Sequence, residues 1–107
     1  MVTHQYDIYL INLDPTVGSE IQKIRPCVII SPDEMNQSLR TVLIAPMTSN
    51  VRSYPWRVVV KFQNKQGSVA LDQIRTVDKQ RLIKHLGTLP TPKIKNIKDV
   101  LQQMLIA

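Results

Sequence analysis

Tyr6-Asp7-Ile8-Tyr9-Leu10-Ile11-Asn12-Leu13 is rich in β-branched and aromatic residues and apolar at both odd and even positions. That is the pattern of a strand covered on both faces. Asp14-Pro15 stops it, and residues 16–24, one glycine with polar and charged residues among apolar ones, read as a loop. Pro26 pushes Arg25 into an extended conformation and Pro32 closes a second strand over residues 26–31, so Arg25 stands at a strand mouth. Residues 40–46 are strongly β-forming and make a third strand. Residues 56–62 alternate cleanly and make a fourth, with Trp56, Val58, Val60 and Phe62 opposite Arg57, Val59 and Lys61, which assigns Trp56 to the core. A polar turn is expected over 63–67, short strands over 68–71 and 73–77, and a one-turn helix over 78–82. Short strands at close spacing without crossover helices describe a mainly β protein, a small antiparallel barrel rather than a parallel α/β sheet.

The period changes at the C-terminus. Ile94, Ile97, Val100, Leu101, Met104 and Leu105 recur at three- and four-residue steps, the stripe of an amphipathic helix. Thr91 is the expected cap, with Pro92 in the first turn. No repeat or linker interrupts the 107 residues, so one domain spanning 1–107 is expected. No apolar run approaches the roughly 20 residues that span a bilayer, and the first residues lack the layout of a secretory signal. A soluble cytoplasmic protein with no membrane partner is therefore expected. The single cysteine, Cys27, lies in an apolar run and reads as a buried, inert thiol.

The net charge of +6 suits a nucleic-acid binder, and its distribution is uneven. Residues 1–50 carry 3 Lys/Arg against 5 Asp/Glu, and residues 51–107 carry 11 against 3, so the basic character belongs to the second half.

His4 and His85, the only histidines, are read as solvated structural residues, and no Cys/His cluster has metal-ligand spacing. Neither a metal nor another cofactor is expected. Gly-rich phosphate loops, nucleophile elbows and dinucleotide fingerprints are missing too. What remains is the cluster Gly18-Ser19-Glu20 with Arg25-Pro26, and a hydroxyl-rich turn at Pro46-Met47-Thr48-Ser49. Metal-free RNA cleavage requires a deprotonated 2′-hydroxyl, stabilisation of the growing negative charge on the phosphate, and a protonated leaving group. Arg25 offers a permanently charged fork, Thr48 a hydroxyl donor and Glu20 a carboxylate. Taken alone, an arginine before a proline and a Thr-Ser pair in a turn are usually a surface charge and a turn-stabilising hydroxyl.

Three stretches together resemble a known family: Asp7-Ile8-Tyr9 with Leu13-Asp14-Pro15-Thr16-Val17-Gly18-Ser19-Glu20-Ile21 and Arg25-Pro26; then Pro46-Met47-Thr48-Ser49; then residues 71–82, from Leu71-Asp72-Gln73 to Gln80-Arg81-Leu82. In this order they are similar to the MazF/PemK-like toxins of bacterial toxin–antitoxin pairs. The resemblance implies an SH3-like barrel with a C-terminal helix, a homodimer, and metal-independent, sequence-selective cleavage of single-stranded RNA. It also implies restraint by a cognate antitoxin whose disordered acidic and apolar segment lies across the dimer. Arg25 and Thr48 fall on the family's catalytic arginine and threonine. Ser19, Glu20, Asp72 and Gln73 fall on positions resembling RNA-contacting ones, Ser49 is a further candidate for RNA binding, and Tyr54 is a candidate for stacking on a base. Glu20 is either the general base or a loop carboxylate that positions Arg25 or reads a base edge. Arg25, with a pKa above about 12, is a poor proton shuttle and serves mainly as a charge clamp.

The chain departs from the family where glycine often precedes the first-strand aspartate, because Tyr6 stands there. A tyrosine opening an apolar strand belongs in the core unless it faces the RNA groove. A different class stays open, a non-catalytic barrel that binds nucleic acid or poisons a topoisomerase, because fold does not determine function.

Overall fold

The computed structural model describes residues 2–51 and 54–106. The opening strand β1 (Asp7–Asn12) pairs antiparallel with β2 (Ile24–Ile29) on one edge and with β7 (Leu82–Thr88) on the other. β2 pairs with β3 (Thr41–Thr48), whose far edge carries β6 (Arg75–Asp78) along its first half and β5 (Lys65–Ala70) along its second. β4 (Arg57–Phe62) closes a hairpin onto β5. The order β4-β5-β3-β2-β1-β7, with β6 beside β3, is a strongly curled seven-stranded antiparallel sheet, an SH3-like barrel with one C-terminal helix.

The doubly apolar patterning of the early strands has a direct structural cause. Ile8, Val28, Ile30, Ala45 and Met47 point into one core with Tyr6, Val58, Val60, Val69, Leu71 and Leu89. Their strand neighbours Tyr9, Ile11, Cys27, Ile29, Val42 and Ile44 point to the other side, into a second core with Leu13, Val77 and Leu82. Successive side chains on a strand face opposite ways, so β1, β2 and β3 form a wall between two cores. Burial pushes the Cys27 thiol up to about 12, as an inert thiol requires.

Helix α2 (Thr91–Leu105) covers the first core, burying Ile97 and resting Ile94, Val100 and Leu101 against it. Met104 and Leu105 run past the barrel and stay exposed. Thr91 does not cap this helix. Pro90, at φ −67° and ψ 150°, takes the cap position without a side-chain bond, and Thr91 is already helical. Two prolines flanking Thr91 impose this, because each fixes its own φ near the helical value. The turn expected over 78–82 is a 3-10 turn at Lys79–Arg81, capped by the Asp78 carboxylate, which accepts from Gln80 N at 2.8 Å.

Two elements were not expected from the sequence. Helix α1 (Asp33–Ser38) follows Pro32 and buries Asn36, and β7 is an edge strand with most of its residues exposed. In addition, a 3-10 turn, Leu71–Gln73, stands where the strands over 68–71 and 73–77 were expected to meet. Trp56 is also not in the core. It is 39% exposed, lies just before the β4 ladder begins, and stacks on Tyr54 with ring centroids 5.0 Å apart. Among the described residues, no helix is long and apolar enough to cross a membrane.

Candidate active site

The β2–β3 ladder ends at Cys27 opposite Pro46. Proline has no N–H to extend it, and beyond this point β3 is paired on its other edge, Met47 with Val69 and Thr48 with Ser68. Carried two residues past the ladder, the same register sets Arg25 opposite Thr48. Both line a cleft of about 440 Å³ together with Lys23, Ser49 and the end of the β4–β5 hairpin. Thr48 is the last residue of β3, so the expected hydroxyl-rich turn begins only at Ser49.

Each side chain is held locally. Arg25 Nε donates to the Gln22 carbonyl at 2.7 Å. Among the described residues this is the guanidinium's one protein hydrogen bond, which fixes its plane and leaves both Nη groups for the cleft. Thr48 Oγ1 accepts from Asn50 N at 3.2 Å, so its hydroxyl proton is available to donate outward. Ser68 Oγ donates to the Asn50 carbonyl at 3.1 Å and pins the same turn. Lys23 has φ +74°; its N–H donates to Asp14 Oδ1 at 3.1 Å, and its carbonyl accepts from Leu13 N at 3.0 Å.

The far wall of the cleft was not foreseen as part of a site. Gln63 and Asn64 both have positive φ, 52° and 62°, as a tight two-residue hairpin requires. The turn expected over 63–67 is therefore shorter, and β5 already begins at Lys65. Phe62, Lys65, Gln66 and Gly67 face the cleft. The signal available in the sequence was a polar pair between two alternating runs.

A second cleft, about 410 Å³, collects Ser19, Glu20, Asp72, Gln73 and Arg75. Pro46 lines this cleft and Met47 the first, so consecutive residues of β3 separate the two. Glu20 is thus apart from Arg25 and Thr48, and its Oε1 accepts from Val17 N at 2.5 Å. The Gln73 amide is engaged at both ends, accepting from Ile21 N at 2.6 Å and donating to the Ser19 carbonyl at 3.4 Å. It fastens the 14–24 loop to the 3-10 turn Leu71–Gln73. Asp72 accepts two bonds from Arg57, Nε and Nη2 each at 3.0 Å, and this hydrogen-bonded pairing raises the arginine's pKa further. The Arg57 guanidinium lies 5.6 Å from the Tyr54 ring centroid, so the Arg57–Asp72 pair links the stacked Tyr54 and Trp56 to the second cleft.

The histidines line neither cleft. His4 Nδ1 pairs with Asp33 at 3.0 Å, and His85 Nε2 lies 3.4 Å from the buried Asp7 carboxylate, which also accepts from Thr88 Oγ1 at 2.8 Å. Among the described residues, no three His, Cys, Asp or Glu side chains converge as metal ligands would.

Residues 4–105 match the family described as PemK-like, MazF-like toxin of type II toxin-antitoxin system. The chain is 37% identical over 101 residues to Endoribonuclease MazF of Staphylococcus saprophyticus, a match covering 89% of this chain and 84% of that protein. Among solved structures, MazF from Deinococcus radiodurans superposes with a TM-score of 0.87 at 24% identity, over 100% of this chain and 99% of that one. A mycobacterial endoribonuclease in complex with its cognate antitoxin gives 0.82 at 22% identity, over 96% and 94%.

Proposed function

The chain belongs to the PemK-like, MazF-like toxins of type II toxin–antitoxin systems, and from that premise we propose that it is an endoribonuclease that cleaves single-stranded RNA, mRNA included, without a metal ion. In the cell it would act in the cytoplasm and stop growth by halting translation. The observation that carries this reading is that Arg25 and Thr48 line one cleft whose charged lining, among the described residues, is Lys23, Arg25 and Lys65 with no carboxylate. The Arg25 guanidinium supplies there the charge stabilisation that a carboxylate-held metal supplies elsewhere.

The substrate 2′-hydroxyl attacks the adjacent phosphorus, its proton is lost, and the P–O5′ bond breaks as the 5′-oxygen takes up a proton. The products are a 2′,3′-cyclic phosphate and a 5′-hydroxyl. Arg25 presents both Nη groups to the phosphoryl oxygens, and its plane is already set by the Gln22 carbonyl, so little reorganisation is needed as charge builds. Thr48 donates its hydroxyl to the same phosphoryl group. Glu20, in the neighbouring cleft with its carboxylate on Val17 N, is assigned to shaping the loop and contacting RNA rather than to proton abstraction at Arg25. Ser19, Ser49, Asp72 and Gln73 border the path from one cleft to the other. Tyr54, stacked on Trp56 and with the Arg57 guanidinium over its ring, is the aromatic residue proposed to contact a base.

The partners follow the same premise. A second copy of the chain and a cognate antitoxin are proposed, the latter with an acidic and apolar segment that complements a +6 surface. Solved relatives include a MazE–MazF complex from Deinococcus radiodurans, and exposed Met104, Leu105 and Ile106 offer apolar surface here.

The test is incubation of purified protein with mixed-sequence RNA in EDTA beside Arg25→Ala and Thr48→Ala. Cleavage by the parent and its loss in both variants supports the reading. Binding without cleavage by the parent would turn it toward a non-catalytic module. Efficient cutting of a substrate carrying 2′-deoxyribose at the scissile position would overturn the mechanism.

A further inference from the structure

The Arg25–Thr48 cleft carries more positive charge than one scissile phosphate requires. A single phosphoryl group is matched by one guanidinium fork and a hydroxyl. Lys23 and Lys65 add two cations on opposite walls, and among the described residues no carboxylate in the lining neutralises them. Such a cleft suits a ligand with successive negative charges, which a polynucleotide is.

Both lysines are set in place by backbone geometry. Lys65 is the first residue of β5, paired with Phe62 across the two-residue turn formed by Gln63 and Asn64. Tight hairpins with two positive-φ residues match the strand twist and leave little freedom to their flanking residues. Gly67, two residues on, lets this hairpin lie directly on the Thr48 backbone. Lys23 holds a left-handed φ of +74°, rare for a side-chain-bearing residue, and is fastened by two backbone hydrogen bonds. Held in this conformation, Lys23 lines the cleft.

We propose that Lys65, at the end of the β4–β5 hairpin, is a substrate-binding residue that with Lys23 holds the RNA phosphate next to the one clamped by Arg25. The β4–β5 hairpin is then a wall of the RNA path, and Phe62, paired with Lys65 beside the turn, lends an apolar surface to the nucleotide between the two phosphates. The inference rests on the endoribonuclease reading above.

The experiment measures binding of the intact protein to a single-stranded RNA made uncleavable by a 2′-deoxyribose at the cut site, across a salt series. The parent is compared with Lys65→Gln, Lys65→Arg, Lys23→Gln, and Lys95→Gln on α2, away from the cleft. Each lost phosphate contact on a single strand lowers the slope of log K against log salt by about 0.7. That drop is expected for Lys65→Gln and Lys23→Gln, with the parent slope retained by Lys65→Arg and by Lys95→Gln. In cleavage assays Lys65→Gln is expected to raise KM several-fold with kcat within about twofold of the parent, since the contact holds substrate and transition state alike. A Lys65→Gln slope equal to the parent's, or an equal drop for Lys95→Gln, overturns the proposal while leaving the endoribonuclease reading intact. A parent that binds no RNA overturns both.

Discussion

A Cβ on Gly67 would stand 2.7 Å from the carbonyl oxygen of Thr48. The β4–β5 hairpin therefore rests backbone to backbone on the residue that carries the cleft hydroxyl, and no other residue type allows that approach. Gly67→Ala is expected to push the end of β3 away from Arg25. Overpacking of this kind costs about 1–3 kcal/mol of stability, whereas a displacement near 1 Å at a reacting group costs up to about 100-fold in rate. The expected result is a folded variant with a modest fall in Tm and a fall in kcat of tenfold or more. Unchanged kcat would show that the hairpin yields instead of Thr48.

Tyr6 adopts φ +68° and is only 8% exposed, so one residue combines an unfavourable backbone with a buried aromatic. Its N–H donates to the Ile29 carbonyl at 2.7 Å and its carbonyl accepts from Leu89 N at 3.1 Å, which holds the conformation from both sides. Removing the ring from the core is expected to cost about 3–5 kcal/mol. Glycine tolerates this φ and alanine does not, so Tyr6→Gly should be more stable than Tyr6→Ala by about 1 kcal/mol. Urea denaturation of the two variants decides it, and an equal or reversed order would refute backbone strain at Tyr6.

Tyr6 also shows how much was legible in advance. A large apolar residue opening a strand belongs in a core by burial alone, and it is there, but its left-handed φ leaves no trace in hydropathy. The two-sided burial of β1, β2 and β3 was readable because both faces of each strand are apolar. β7 was not, since an edge strand with Lys84 and His85 exposed has no alternation to find. Trp56 failed for a related reason: it continues the alternation of Val58 and Val60 but lies beyond the ladder, where Tyr54 rather than the barrel receives its ring. In the site, Arg25 was legible as a strand-mouth cation beside Pro26. That it shares a cleft with Thr48, and that Glu20 lines another, depend on how distant strands and loops come together, which no local pattern encodes.

His4 and Asp33 form an exposed pair 3.0 Å apart. The hydrogen bond and charge of Asp33 raise the imidazole above its ordinary 6.5, and the Gln5 N–H together with His4 lowers the Asp33 carboxyl below 3.8. For His4 the folded state binds the proton more tightly, so its contribution is fully present below pH 6.5 and is lost as pH rises through the raised value. For Asp33 the contribution is present above 3.8 and is lost as pH falls through the lowered value. An NMR titration of the His4 ring should give a midpoint above 6.5 in the parent that returns toward 6.5 in Asp33→Asn. An unmoved midpoint would mean the pair does not persist in solution.

Asn36, buried on α1, ties this helix to the segment at Thr3 and to Ser31 just past the end of β2. Its Nδ2 donates to the Thr3 carbonyl at 3.1 Å and to the Ser31 carbonyl at 2.9 Å, and its Oδ1 accepts from Ser31 Oγ at 2.5 Å. Ser31 Oγ in turn accepts from Leu43 N at 3.0 Å, so the network reaches β3. Asn36→Ala would leave two buried carbonyls and a hydroxyl without these partners, and unsatisfied buried groups cost about 1–3 kcal/mol each before any water enters. A net loss of about 2–4 kcal/mol is expected for Asn36→Ala. Because α1 lines neither cleft, kcat measured well below the lowered Tm should stay at the parent level. Asn36→Asp separates hydrogen bonding from shape. It keeps the acceptor for Ser31 but sets a carboxylate oxygen against two carbonyls, so at neutral pH it should be no more stable than Asn36→Ala. Parent-like stability in Asn36→Asp would show that the network is filled space rather than a set of required bonds.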